Sequence, residues 1–446
     1  MRDKSRYDLV IEGGTLLTMV EDQEPIQEAR VMISGDTIEG VATRHTGQVP
    51  ETKEIINAED TIILPGLINS HSHSPMTIFR GLADDLPLKQ WLFEYIFPAE
   101  AQYIHPDTVY WASLLACAEM IASGTTTIVD GYFLADEIIK AFHKAGVRAL
   151  VAQGVIDLPA PGVPDPGKNI DVALGFMERW KGFSDLIFPG LFCHSPLTCS
   201  EETLRNSWDI SQRFGIPLQI HLSETKEEVA EIERRTGSRP AFYLDDLGIL
   251  GNGLVAAHGI HLNEEEIGLL ADRGVKVAHC PESSMKLATG IASVDTMLEK
   301  GITVGLGTDG CASNNNLDLF AEMDTAAKLG KYAKLNPTVL DARTVLAMAT
   351  RGGAELIGLK DAVGTIEAGK KADIIIVDED TPHMVPLYHP FSQIVYSATG
   401  GDVRDVIVNG TILYKDRQFT ALDVDEVKGQ VRRIARMIRS DERPPV

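Results

Sequence analysis

Eight short apolar runs, separated by stretches with helical spacing, fill the chain between residues 66 and 364. They are Leu67 to His73, Thr126 to Asp130, Arg148 to Gln153, Ile187 to His194, Pro217 to His221, Leu254 to His258, Val275 to His279 and Thr303 to Asp309. Apolar runs of this length alternating with helical patterns mark repeated βα units and a parallel sheet. Eight of them over about 300 residues match the count and length of a (β/α)8 TIM barrel, an α/β fold. An open doubly wound sheet is the alternative, but no glycine-rich phosphate loop follows a strand here.

The flanks read differently. Asp8 to Glu12 and Thr15 to Met19 surround Gly13-Gly14, and Arg30 to Ile33 and Thr37 to Val41 surround the turn signal Ser34-Gly35-Asp36. Thr61 to Leu64 follows. Beyond residue 364, Ile374 to Val377 and a hairpin through Asn409-Gly410 restore the strand pattern. Residues 1–65 and 365–446 are therefore expected to pair as one discontinuous β-sandwich domain beside a catalytic barrel of residues 66–364. Val424, Val427, Val431, Ile434 and Ile438 form a helical stripe, which predicts a C-terminal helix packed on the body. The Pro- and Gly-rich stretch Leu158 to Lys168 follows the third strand and is expected at the barrel mouth.

A formal net charge of −23 over 446 residues disfavours nucleic-acid and anionic-membrane partners and leaves a small-molecule substrate as the expected one. The five cysteines are scattered without CxxC spacing, which predicts no disulfide framework and a reducing compartment. Met1 to Tyr7 has no apolar signal core, and no run approaches the ~20 apolar residues of a membrane span. The expected location is the cytoplasm.

Chemistry concentrates at the strand ends. Six of the eight runs end in or beside a group that can bind metal or move protons: His71 and His73, His194, His221, His258, His279 and Asp309. In a barrel these ends meet on one face. Side chains two apart on a strand point the same way, so His71 and His73 should project together. Three histidines and a carboxylate suit one divalent ion, zinc or iron, and we assign His71, His73, His221 and Asp309 as its ligands. A water in the open position would have its pKa lowered towards ~7. Glu224, three residues past His221, falls near that water rather than among the ligands.

Pro65 to His73, Ile220-His221-Leu222-Ser223-Glu224-Thr225, His258 to Leu262 and Gly307-Thr308-Asp309-Gly310 resemble the amidohydrolase superfamily. His73 to Thr77, Arg80-Gly81, Trp91 to Phe93, Pro98-Ala99-Glu100, Cys193-His194-Ser195-Pro196 and Gly307 to Asn315 are similar to its 5′-methylthioadenosine/S-adenosylhomocysteine deaminases. The resemblance runs over nearly the whole chain. It implies a hydrolytic deaminase of an adenine nucleoside, namely 5′-methylthioadenosine, S-adenosylhomocysteine, adenosine or 5′-deoxyadenosine, working as a homo-oligomer. It implies that Glu224 shuttles protons, and that His258 and Asp309 orient the water and accept its proton. His194 would contact the ring or ribose, Glu100 would accept the ribose hydroxyls and Trp91 would pack on the thioether end. His194 rather than a lysine ends the fourth run, so one metal is expected, with zinc first and iron second. Gln153 stands where an arginine for the amino-acid carboxylate is expected, with Lys168 as its nearest substitute, a weaker clamp than two arginines.

Guanine or 8-oxoguanine deamination, or s-triazine amino- or chlorohydrolysis, is the alternative on the same scaffold. Glu100 favours a ribose over these. A non-catalytic assembly protein would be expected to lose ligands, and here the full set is present. A nucleic-acid deaminase is disfavoured by the missing His-x-Glu…Pro-Cys-x-x-Cys signature and the acidic charge. His279, His261, His383 and His389 are read as structural.

Overall fold

A computed structural model describes residues 7–47 and 50–441. Eight parallel strands, Leu67–Ser72, Thr125–Tyr132, Arg148–Val155, Ile187–Cys193, Leu218–Leu222, Leu254–His258, Lys276–His279 and Val304–Leu306, hydrogen-bond in chain order. Helices cover the outside, so the second and third strands are buried at every residue, as their near-continuous apolar sequences require. Val129, Leu150, Val255 and Ala278 fill the interior, with Leu356 and Ile357 packed against them.

The ring closes between its first and last strands. Asp309 N–H donates to His71 O at 3.0 Å. Asn69 and Thr308 exchange two bonds: Asn69 Nδ2 donates to Thr308 Oγ1 at 2.8 Å, and Thr308 N–H donates to Asn69 Oδ1 at 3.1 Å. Gly307 permits the approach, because a Cβ there would lie 2.8 Å from His71 N.

The flanking segments form a second, nine-stranded mixed sheet. Thr61–Pro65 pairs antiparallel with Ile374–Asp378 and joins the two halves. The Asn409-Gly410 turn has both residues at positive φ, 52° and 75°, the conformation a two-residue hairpin needs. One hydrogen-bonded network links its strands, and its edge turns back to enclose a core. Ile38 N–H donates to Lys370 O and Gly369 N–H to Ile38 O, both at 2.8 Å, which brings the edge strand Thr37–Thr43 back to the chain ahead of Ile374. Ile11, Val31, Ile33, Ile38, Ile374 and Ile376 make the enclosed core. The helix Val424–Asp441 lays Val427, Ile434 and Ile438 against the helix Pro106–Ala122, as the stripe predicts. No helix among the described residues is long and apolar enough to cross a membrane.

A buried ion pair ties the sheet to the barrel base. Arg148 Nε and Nη2 donate to the Asp373 carboxylate at 2.8 and 3.0 Å, and Asn409 N–H adds a third bond at 2.7 Å. Removing one partner of such a pair leaves a charge stranded in low dielectric. Asp373→Ala should therefore cost about 3–5 kcal/mol, read as a lower urea midpoint, and Arg148→Met with Asp373→Leu should cost less. A single variant as stable as the parent would show that the pair is solvated.

Candidate active site

The His-x-His segment is held from the neighbouring strand. Asp130 Oδ2 accepts from Ser72 Oγ at 2.9 Å and from Ser74 N–H at 2.6 Å, which fixes the chain on both sides of His73. His73 Nδ1 lies 2.5 Å from Gly131 O, so the ring donates there and turns Nε2 inward. His221 Nε2 is 3.3 Å from His71 Nε2, and Asp309 Oδ1 is 3.3 Å from His73 Nε2 and 3.8 Å from His71 Nε2. The three imidazoles offer nitrogens that all lie within 4.8 Å of one another. Donors about 2.0–2.1 Å from a common centre at tetrahedral angles stand roughly 3.3 Å apart, so these spacings fit a small divalent ion.

Electrostatics favour the ligating forms. Burial pushes the His71 and His221 pKa values well down, which keeps both rings neutral. Burial opposes ionisation of Asp309, but His73, His258, His71 and the Ser283 hydroxyl outweigh it and hold its pKa below the carboxylate norm. Ser283 Oγ and Ser313 Oγ donate to Asp309 Oδ2 at 2.6 and 2.8 Å, and Gly310 N–H donates to Oδ1 at 2.8 Å.

Ser223, His258 and Asp309 all sit in the left-handed region, at φ of 51°, 72° and 59°. Non-glycine residues hold this conformation at a cost, and here the exits of three barrel strands adopt it around one point. Glu224 follows Ser223 into the same cavity. Burial, with the Asp309 charge behind it, pushes the Glu224 pKa up to about 8, so its carboxyl carries a proton at neutral pH.

The opposite wall comes from the chain after the first strand. The helix Phe97–Tyr103 presents Glu100, 4% exposed, which accepts from Tyr132 Oη at 2.5 Å. Burial raises the Glu100 pKa to about 7 against that bond. Trp91, Leu88 and Leu92 line the same cavity with Met76, Phe133 and Phe192. His194 faces it from the fourth strand exit, its Nδ1 2.8 Å from Thr198 Oγ1; burial lowers its pKa to about 4, so the ring is neutral. A second chamber shares Phe97, Glu100, Phe133 and Ile156 and continues under residues 158–162.

The amidohydrolase family model matches residues 62–413. The chain belongs to the amidohydrolase family. This amidohydrolase is 44% identical to 5-methylthioadenosine/S-adenosylhomocysteine deaminase 1 of Syntrophus aciditrophicus, over 98% of its own length and 99% of the relative's. It is 43% identical to 5′-deoxyadenosine deaminase of Methanosarcina mazei, over 96% and 98% of the two chains. The crystal structure of an adenosine deaminase from Xanthomonas campestris with bound zinc superposes with a TM-score of 0.95 at 36% identity, covering 97% and 99%. Within the family the amidohydrolase stands with the 5′-methylthioadenosine/S-adenosylhomocysteine deaminases.

Two of the residues expected to bind substrate stand apart from the cavities in the amidohydrolase. Gln153 is buried but lies outside both cavities; Ala135 N–H donates to its Oε1 at 3.3 Å and its Nε2 donates to Gly154 O at 3.1 Å. The third strand runs on to Val155, so Gln153 is not its last residue, and it shares the outer, helix-facing side with Ala149 and Val151. Lys168 ends an exposed turn, Pro166–Lys168, and lines neither cavity. Among the described residues lining the two chambers, none is an arginine or lysine. His279 stays behind the cavity, His261 Nε2 meets Thr289 O at 2.7 Å, and His383 and His389 lie in the C-terminal segment, where His383 pairs with Asp402 at 2.9 Å. The cysteines are buried and free. Asp130, Tyr132 and Phe192 belong to the site without having been singled out in the sequence. The second strand runs past Asp130 to Tyr132, and that extension carries Tyr132 to the cavity.

Proposed function

We propose that this chain is a metal-dependent hydrolytic deaminase that converts the adenine ring of a small nucleoside to its inosine analogue and releases ammonia. As an amidohydrolase with deaminase relatives, it is a hydrolase acting on C–N bonds. The observation that carries the reading is one cavity holding Glu224 beside His73, His221 and Asp309, with Glu100 on the facing wall. Every group in the scheme lies in residues 66–364, which we take as the catalytic domain, with 1–65 and 365–446 as the β domain.

His71, His73, His221 and Asp309 would hold one ion, and zinc suits three imidazoles and a carboxylate. The zinc of the Xanthomonas neighbour supports that choice, and the absence of a lysine from Ile187–Cys193 supports a single ion. What such an ion supplies is activation of water at neutral pH.

The protein groups do the rest. Glu224 gives its proton to N1 of the purine as water adds to C6. Asp309 and His258 receive the proton that the water loses. Glu224, left as the carboxylate, takes the proton of the new C6 hydroxyl and delivers it to the amino group; the C6–N bond breaks, C6 keeps the oxygen as a carbonyl, and the proton held by Asp309 and His258 returns Glu224 to its acid form. One proton of the water ends on N1 and the other in ammonia. Glu100 accepts from the ribose diol with the oxygen that Tyr132 leaves free, and His194 meets the nucleoside as a neutral hydrogen-bonding ring.

The 5′ substituent falls towards the second chamber, whose walls are mainly apolar and carry no fixed cation. A methylthio or methyl group gains from burial there, whereas a carboxylate would be desolvated without a partner. Ammonia release from metal-loaded protein should therefore rank 5′-methylthioadenosine and 5′-deoxyadenosine above S-adenosylhomocysteine in kcat/KM. Guanine, 8-oxoguanine and melamine should be poor substrates. Turnover confined to those bare rings would overturn the nucleoside reading, and S-adenosylhomocysteine as the best substrate would overturn the account of the second chamber.

A further inference from the structure

Glu228 does something at the start of its helix that capping does not require. It sits in the first turn of the helix Lys226–Thr236, where Thr225 Oγ1 already accepts from Glu228 N–H at 3.0 Å. A capping box would send the glutamate side chain back to the Thr225 N–H. Glu228 reaches further upstream instead. Its Oε1 accepts from Ser223 N–H at 3.1 Å and its Oε2 accepts from Glu224 N–H at 2.8 Å. Both amides belong to the short link that runs from His221 to Glu224. Ser223, at φ 51°, holds a conformation a serine would not choose alone, and its carbonyl accepts from His261 N–H at 2.8 Å. Glu228 is 6% exposed, so these bonds form out of water, where they are strong; burial, with the Glu224 charge behind it, pushes its pKa up to about 7, and the two amide donors pull back towards the carboxylate.

We infer that Glu228 is a positioning residue for Glu224: its two oxygens clamp the Ser223 and Glu224 amides and set the angle at which the Glu224 carboxyl enters the cavity. The inference rests on the role proposed for Glu224 and adds the residue that aims it. Glu228 does not line the cavity and touches no substrate. An aspartate is one methylene short of the upstream amides. A glutamine keeps the volume but turns an NH2 towards one of the two N–H groups, which breaks that bond and sets donor against donor.

Two measurements test the clamp. The first needs no variant. Hydrogen exchange on the intact protein should show the Ser223 and Glu224 amides protected although they lie in a loop, and fast exchange at both would overturn the inference. The second is a double-mutant cycle. Glu228→Gln should lower kcat by about 10- to 100-fold with KM nearly unchanged and full metal content. Added to Glu224→Gln, it should lower the residual kcat by less than about twofold, because nothing remains to be aimed. A repeated full loss in the Glu224→Gln background, or an unchanged kcat in Glu228→Gln alone, would overturn the positioning role. Retained exchange protection in a metal-loaded parent enzyme that releases no ammonia from any nucleoside or base would leave the clamp standing and overturn the proposed function alone.

Discussion

Glu224→Gln should lower kcat by about 10³-fold, within the range that a positioned acid-base group supplies, while KM and metal content stay near those of the parent. Glutamine can still donate a hydrogen bond to N1, so binding survives, but it cannot release and recapture a proton. The pH profile gives the sign. Burial and the Asp309 charge raise the Glu224 pKa to about 8 in the absence of an ion, so the working proton is present at neutral pH and is lost as pH rises. A cation on the histidines favours the carboxylate, so the basic limb of kcat/KM should fall at or below that value. The limb should flatten in Glu224→Gln. A variant that keeps more than about a tenth of the parental kcat would remove Glu224 from the proton path.

Glu100→Gln should separate function from stability. Its carboxyl is raised from 4.5 to about 7 by burial, so the folded state binds the proton more tightly than the unfolded chain between those values. Stability must then decline as pH rises across that window and stay lower above it. A shift of this size, with the Tyr132 bond already counted in it, corresponds to about 3 kcal/mol. Glu100→Gln should therefore melt higher than the parent at pH 8, with the gain shrinking towards pH 5. Its kcat/KM for a nucleoside should fall about 100-fold, the loss of a charged acceptor for a diol, while turnover of free adenine changes little. Equal losses on nucleoside and free base would dissociate Glu100 from the ribose. A variant no more stable than the parent at pH 8 would mean that the buried carboxylate is already compensated.

The groups with chemistry in their side chains were legible because each ends a strand whose period and exit are visible in the sequence. His71 and His73 needed only the alternation of a strand, and His221 and Asp309 only the convergence of barrel ends. Distances between strands, by contrast, depend on where each strand stops. Gln153 reads as a strand end facing substrate, yet the third strand continues to Val155 and the amide turns to the helix Ala135–Ala145. Tyr132 gains its place from the same kind of extension. The flanking strands show alternation and turns, but how the sheet edge is closed is decided by the contact of Ile38 with Lys370, a pairing of residues remote in sequence. Glu228 looks like an ordinary capping glutamate until the partners of its oxygens are known.

The seam of the barrel has a consequence for how the protein holds together as a whole. Asn69 and Thr308, the residues that stitch it, are 239 positions apart in the chain. Holding such distant residues together carries a loop-closure cost in chain entropy. His71 lies beside those stitches on the first strand, and Asp309 just past the end of the last. A ligand gripped by both would act as a reversible cross-link between the first and last turns of the ring. Its occupancy would then weigh on global unfolding rather than on a local flap, and the melting temperature should rise with the logarithm of free ion concentration.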